Sequence, residues 1–263
     1  MNEKESVHIQ VESELVKAAG ITDVGLIRNE NQDSIYLDEN GKIFLLADGM
    51  GGHERGAEAS REIMDVLPDF FQPDRIRREM NDITAADGVP IEVSAILSLA
   101  EKGIRKSNSL LYKKNCREHV ERHMGATLTG LVLTSELYAA WFHVGDSRLY
   151  RWRDTTLTQL TEDHSAYNEW VKKGSRGEEP SKSIITRAIG PKDSTIPDMN
   201  WDKSQKNDIY LLCSDGLSDL VENEDMSDII KNSETPDKIA KNLLNAALNA
   251  GGSDNISIIA CRI

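Results

Sequence analysis

The stretch GLIRNENQDSIYLDENGKIFLLADGMGGHERG, residues 25–56, decides the fold of this chain. Around two short apolar runs it sets Arg28, an Asn-Gln-Asp triplet ending in Asp33, and an Asp-Gly-Met-Gly-Gly loop that starts at Asp48. The first run, 34–37, leads into Asp38-Glu39-Asn40-Gly41, and Asn-Gly is the strongest short hairpin signal. The second run, 43–47, is continuously apolar, the pattern of a strand buried on both faces. Asp33 therefore enters one strand while Asp48 leaves its hairpin partner. Two carboxylates and a cation are brought to one end of a sheet, a combination suited to a metal ion and an anion.

At 263 residues the chain fits one domain, 1–263, large enough to bury a real core. Its 39% hydrophobic and 29% charged residues are those of a soluble globular protein. A net charge of -13 argues against a nucleic-acid partner, which calls for a basic face. The acidic surface reads first as a solubility feature. The three cysteines, Cys116, Cys213 and Cys261, show no metal-type spacing, and two lie in apolar runs. Free buried thiols in a reducing compartment are expected. No apolar run approaches the ~18 residues of a membrane span, and the first ten residues are charged rather than a signal peptide. The expectation is a cytoplasmic protein with no membrane partner, and a monomer by default.

Hydrophobic periodicity places a polar N-terminal extension at 1–17, a strand at 18–23 and helices at 54–67 and 91–115. Strands follow at 126–134, 137–144, 148–152, 208–213 and 255–263. Three further helices fall at 217–221, 226–231 and 236–250. Residues 69–90 read as a loop or short helix, and 165–184 as a polar surface excursion with a helical turn at 167–171. Helices grouped between hairpin-connected strands suit an antiparallel α+β layered domain.

Four aspartates share one signature, an Asp beside Gly or at a strand end: Asp48, Asp146 (HVGDSR), Asp215 (LLCSDG) and Asp254 (GGSDN). Asp33 makes a fifth. Each Asp-Gly alone is an ordinary turn, but their recurrence at the ends of apolar strands is not. Converging carboxylates repel one another unless a cation intervenes, and an all-oxygen donor set points to Mg²⁺ or Mn²⁺ rather than zinc. A Walker loop fails because Ala57-Glu58 follow Gly56, and a dinucleotide fingerprint finds no supporting βα unit. His119 and His123, spaced i,i+4, lack a third ligand and read as a solvated helix face. No serine sits in a nucleophile elbow.

In order along the chain, TDVGLIRNENQDS, FLLADGMGGHERGAEAS, MGATLTGLVL, FHVGDSRLYRW, LTEDHS, ITRAIG, IYLLCSDGLSDLV and GGSDNISIIACR resemble the metal-dependent protein phosphatases of the PPM family (type 2C), in compact bacterial form. The resemblance runs from about Thr22 to Arg262 and implies a four-layer αββα sandwich: two central antiparallel sheets flanked by pairs of helices. It implies a pair of Mn²⁺ or Mg²⁺ ions, with Asp48 bridging, the Gly49 carbonyl on the first ion, and Asp33, Asp215 and Asp254 on the second. Asp146 with Asp215 is implied to hold a third, weaker ion, and Arg28 the substrate phosphate. A hydroxide between the metals would attack phosphorus directly.

The implied activity is a protein serine/threonine phosphatase acting on phosphorylated proteins and opposing a bacterial Ser/Thr kinase. A non-catalytic phosphoprotein-binding regulator is the alternative from another class, and a phosphatase of anti-anti-sigma-type regulators is the alternative within this chemistry. Met50 stands where many animal members carry the histidine taken as general acid; for nearby His53 a loop role is the better reading. Residues 165–184 correspond to the family's flap, shortened and altered here.

Overall fold

The computed structural model describes residues 6–13, 15–51, 55–118 and 123–263. Twelve strands and seven α-helices lie among them: β1 Val7–Glu12, β2 Lys17–Asp23, β3 Asp33–Leu37, β4 Ile43–Met50, α1 Arg55–Val66, α2 Pro73–Asp82, α3 Ile91–Glu118, β5 Gly125–Ala126, β6 Leu128–Leu133, β7 Tyr138–Val144, β8 Arg148–Arg153, β9 Thr156–Gln159, α4 Ala166–Lys172, β10 Asp198–Lys203, β11 Ile209–Cys213, α5 Asp215–Ser218, α6 Asn223–Lys231, α7 Pro236–Asn249 and β12 Ile256–Arg262. One sheet runs β1-β2-β12-β11-β8-β9 and the other β10-β7-β6-β4-β3, with β5 beside β4. Every pairing in both sheets is antiparallel.

Three buried clusters define the layers. Between the sheets lie Phe44, Leu46, Leu131, Leu149, Tyr210, Leu212 and Ile259. The alternate residues of the same strands face outward: Leu45 and Ala47 meet Ile63 of α1 and Ile96 and Ile104 of α3, while Leu211 and Ile258 meet Ile239 and Leu243 of α7. Strands buried on both faces need near-continuous apolar runs, which is why 43–47 and 209–213 show no polar alternation and 256–261 carries one polar residue, Ser257. The result is the four-layer αββα sandwich expected from the sequence.

Some local expectations are sharpened and others corrected. The polar N-terminal stretch supplies an edge strand, β1, whose partly exposed side chains explain its weak pattern. Residues 69–90 hold α2, introduced by Pro73 at its first turn. The short polar strands β9 and β10 were not anticipated, because their side chains are largely exposed. The helix near 217 begins at Asp215 and is four residues long. His123 lies beyond α3, its Nδ1 3.0 Å from the Pro191 carbonyl; His119 and His53 lie outside the described residues. In the β3–β4 hairpin only Gly41 is left-handed (φ 65°). Asp38 closes that loop by accepting from the N–H groups of Lys42 and Ile43 at 2.5 and 2.6 Å.

Candidate active site

The two sheets contribute carboxylates from opposite sides. Asp33 and Asp48 are cross-strand partners on β3 and β4. Asp215 follows β11 and Asp254 precedes β12 in the other sheet, and Asp146 lies in the connection from β7 to β8 that crosses between sheets. Arg28 donates from Nη2 to Asp254 Oδ2 at 2.6 Å, the main reason its pKa is raised. The charges of Asp215 and Asp48 also act on it. The residues singled out in the sequence are therefore brought to one place.

Their charges are mutually unfavourable. Burial, reinforced first by Asp33 and Asp215, pushes the Asp48 carboxyl well above the usual carboxylate range. Burial and then Asp146 and Asp254 push Asp215 up to about 8. Burial raises Asp33 to about 6. It does the same for Asp146, with Asp163 adding to the effect. Both oxygens of Asp33 and one each of Asp146 and Asp215 are buried without a hydrogen-bond partner. Such orphaned acceptors are costly unless a cation meets them. Among the described residues no three Asp, Glu, His or Cys side chains are drawn tightly enough together to grip one ion as they stand. The donor chemistry, all hard oxygen, nevertheless fits Mg²⁺ or Mn²⁺. Next to Asp48, an added Cβ at Gly49 would lie 2.1 Å from the Gly56 carbonyl oxygen and 2.6 Å from that of Gln32, so only glycine fits.

A skeleton of short polar side chains, not anticipated from the sequence, holds the carboxylates. The Asp48 N–H donates to Thr127 Oγ1 at 3.0 Å, and the Asp48 carbonyl accepts from the Thr127 N–H at 2.8 Å. Thr127 Oγ1 in turn lies 2.7 Å from Ser147 Oγ, next to Asp146. Asn255, beside Asp254, accepts from the Gln32 N–H at 2.8 Å and donates to the carbonyls of Val24 and Glu30. It thereby ties Asp254 to the turn before Asp33. His164 of the LTEDHS motif clasps Gly145: its N–H donates to the Gly145 carbonyl at 2.7 Å and its Nδ1 accepts from the Gly145 N–H at 3.0 Å. The signal that could have revealed these residues was the presence of Thr127, Ser147 and Asn255 inside or beside buried strands.

The main chain at Asp48-Gly49, the end of β4, is braced from α3. Gly49 and Met50 pair with Ala126 and Gly125, and Ala126 exchanges two hydrogen bonds with Ile189 of the ITRAIG motif, at 2.9 and 3.0 Å. Fully buried Asn115 donates to the carbonyls of Met124 and Gly190 and accepts from the Met124 N–H. Beside the carboxylates a cavity of about 500 Å³ is lined by Asp146, Arg148, Asp163, Lys182, Asp215 and Asp219 among others.

Two antiparallel sheets thus pool buried and half-buried carboxylates at their junction, beside an arginine bonded to one of them. The family model described as Protein phosphatase 2C matches residues 28–249. The serine/threonine phosphatase stp of Listeria welshimeri is 33% identical over 247 residues, covering 90% of this chain and 92% of that protein. The crystal structure of the Mycobacterium tuberculosis serine/threonine phosphatase PstP/Ppp superimposes with a TM-score of 0.80 at 30% identity, over 95% of this chain and 99% of that one. The chain spans 45% of full-length PstP. The PstP catalytic domain in complex with two manganese ions gives a TM-score of 0.76 at 30% identity, over 94% and 98% of the two chains. This chain belongs to the protein phosphatase 2C family and is a protein serine/threonine phosphatase.

Proposed function

We propose that the protein hydrolyses phosphoserine and phosphothreonine on proteins by direct attack of water, with no covalent phosphoenzyme. The observation that carries this reading is the set of buried carboxylates from both sheets, raised by burial and by one another, with unpartnered oxygens. Asp33, Asp48, Asp215, Asp254 and the Gly49 carbonyl would hold two Mn²⁺ or Mg²⁺ ions, and Asp146 with Asp215 a third. When bound, such ions supply an activated water and neutralise charge on the phosphoryl oxygens.

The chain's own residues do the rest. Arg28 binds and orients the phosphoryl group; its bond to Asp254 fixes the guanidinium against the carboxylate cluster. Thr127, Ser147 and Asn255 fix the main chain around Asp48, Asp146 and Asp254, so that the site needs little reorganisation. Residues 165–184 serve as a flap whose Tyr167 and Lys182 line the neighbouring cavity. Its partners on this reading are phosphorylated proteins, a Ser/Thr kinase and its targets among them. The cytoplasm suits the free, fully buried Cys213 and Cys261. Among the described residues no helix is long and apolar enough to cross a membrane.

The test is phosphate release from a phosphothreonine peptide with Mn²⁺ and with chelator. Hydrolysis that requires Mn²⁺ and is lost in Asp215→Asn is expected. Absence of hydrolysis with Mn²⁺, or an Asp215→Asn variant as active as the parent, would overturn the reading.

A further inference from the structure

Asp33 begins β3 in one sheet, yet the hydroxyls that approach it belong to the other. The Asp33 N–H donates to Asn31 Oδ1 at 3.1 Å. A main-chain N–H can only donate, so the Asn31 oxygen faces it and the amide nitrogen is left for another partner. That nitrogen donates to Thr22 Oγ1 at 2.8 Å. Thr22 and Ser257 are cross-strand partners on β2 and β12, and their hydroxyl oxygens lie 2.7 Å apart. Both residues are buried. β3 packs against β2 and β12. Burial raises the Asp33 pKa, and the Ser257 hydroxyl, followed by that of Ser214, works against it. The path thus starts at the Asp33 main chain and returns to the Asp33 carboxylate.

Counting protons gives the path a direction. Each hydroxyl has one hydrogen to give. Thr22 Oγ1 accepts from Asn31, and its other hydrogen-bond partner among the described residues is Ser257 Oγ. If Ser257 donated to Thr22, the Thr22 hydrogen would be buried with nothing to receive it, which is costly. The assignment that satisfies both hydroxyls has Thr22 donating to Ser257, and it leaves the Ser257 hydrogen free. Ser214 is already engaged: its Oγ accepts from the Ser257 N–H at 2.9 Å and donates to the Asn255 carbonyl at 3.4 Å. Both Asp33 oxygens, in contrast, are buried and short of a completed hydrogen bond.

We propose that Ser257, oriented through Thr22 and Asn31, donates to Asp33 and fixes the way its carboxylate faces, so that Ser257 and Thr22 are positioning residues for the divalent ions. This rests on the metal reading above and adds two residues to it. One Asp33 oxygen receives the Ser257 hydroxyl and the other is left for a cation. A carboxylate held in this way needs no reorientation when an ion arrives.

The experiment titrates Mn²⁺ into chelator-stripped parent and variants by calorimetry, with the melting temperature read alongside. Ser257→Ala is expected to weaken Mn²⁺ binding roughly 10–100-fold, the usual worth of a partner that orients a ligand. Thr22→Val keeps the branched shape without the hydroxyl and is expected to weaken binding too, whereas Thr22→Ser keeps the parental affinity. The double variant Thr22→Val/Ser257→Ala is expected to bind no more weakly than Ser257→Ala, because both changes act through one hydrogen. Ser204→Ala is the control: it removes a buried 2.9 Å hydroxyl contact with Tyr210 Oη, and is expected to lower the melting temperature at unchanged Mn²⁺ affinity. Parental affinity in Ser257→Ala overturns the proposal. So do single losses that add in the double variant, a Thr22→Ser as weak as Thr22→Val, or a control that weakens Mn²⁺ equally. If Ser257→Ala does not fold, the Thr22 pair decides alone: weakening in Thr22→Val with recovery in Thr22→Ser supports the proposal, and equal affinities overturn it. If the parent itself binds no Mn²⁺, the metal reading falls and the proposal with it.

Discussion

Asp33 and Asp48 sit opposite each other across the β3–β4 hairpin, and both oxygens of Asp33 are buried without a partner. Their proximity gives the metal-free protein a defined response to pH. The folded-state carboxyls of Asp33 and Asp146 lie at about 6 and that of Asp215 at about 8, above the ~4 of an unfolded chain. A carboxyl with a raised folded pKa contributes stability that is full below its unfolded pKa and is lost as pH rises through its folded one. In chelator the melting temperature therefore falls between about pH 4 and about pH 8. Adding Mn²⁺ near pH 8 reverses the fall. Thermal unfolding across that range with and without Mn²⁺ checks this; a melting temperature that rises with pH in chelator contradicts it.

The variant Asp215→Asn separates stability from function. Removing one of the repelling carboxylates raises the melting temperature in chelator near pH 8. Losing a ligand lowers metal-dependent activity by more than roughly 100-fold, since even outer partners of ligands are worth 10–100-fold. The two changes go in opposite directions, so a general loss of folding cannot mimic them.

Gly49→Ala tests the main-chain contribution. The added methyl would overlap the Gly56 carbonyl oxygen at 2.1 Å, so the loop must move. A stability loss of about 1–3 kcal/mol is expected from such crowding. The larger effect is weakened Mn²⁺ binding, read by calorimetry. A variant that binds Mn²⁺ as tightly as the parent removes Gly49 from the site.

The fold was legible because 43–47, 209–213 and 256–261 are strands covered on both faces, and such strands cannot hide their apolar runs. Asp48, Asp215 and Asp254 were legible for the same reason: a carboxylate at the end of a largely apolar strand is conspicuous. β9 and β10 were not legible, since edge strands with exposed side chains share the composition of loops. Nor was the supporting skeleton. Thr127, Ser147 and Asn255 are common residue types whose role depends on which strands become neighbours, and local sequence does not record that. ITRAIG was visible as a motif, but its task, closing Ala126 through Ile189, emerges only once α3 and β5 are packed together.

Asn115 follows from that packing. It satisfies three main-chain groups of Met124 and Gly190, and its own neighbours hold the partner strand of Gly49. Asn115→Ala is expected to cost about 3 kcal/mol in denaturant unfolding, from buried groups left unpaired. It is also expected to weaken Mn²⁺ affinity roughly 10–100-fold in protein that remains folded. Loss of stability with unchanged Mn²⁺ affinity would confine Asn115 to a packing role.

On the proposed reading, carboxylates from two sheets hold a pair of divalent ions. Calorimetric titration of Mn²⁺ into chelator-stripped protein addresses it without reference to any substrate. Two bound ions per chain are expected, the number in the PstP complex, with the pair lost in Asp48→Asn. A parent that binds no Mn²⁺, or an Asp48→Asn variant that binds it with the parent's stoichiometry and affinity, would rule out a metal pair held by these carboxylates.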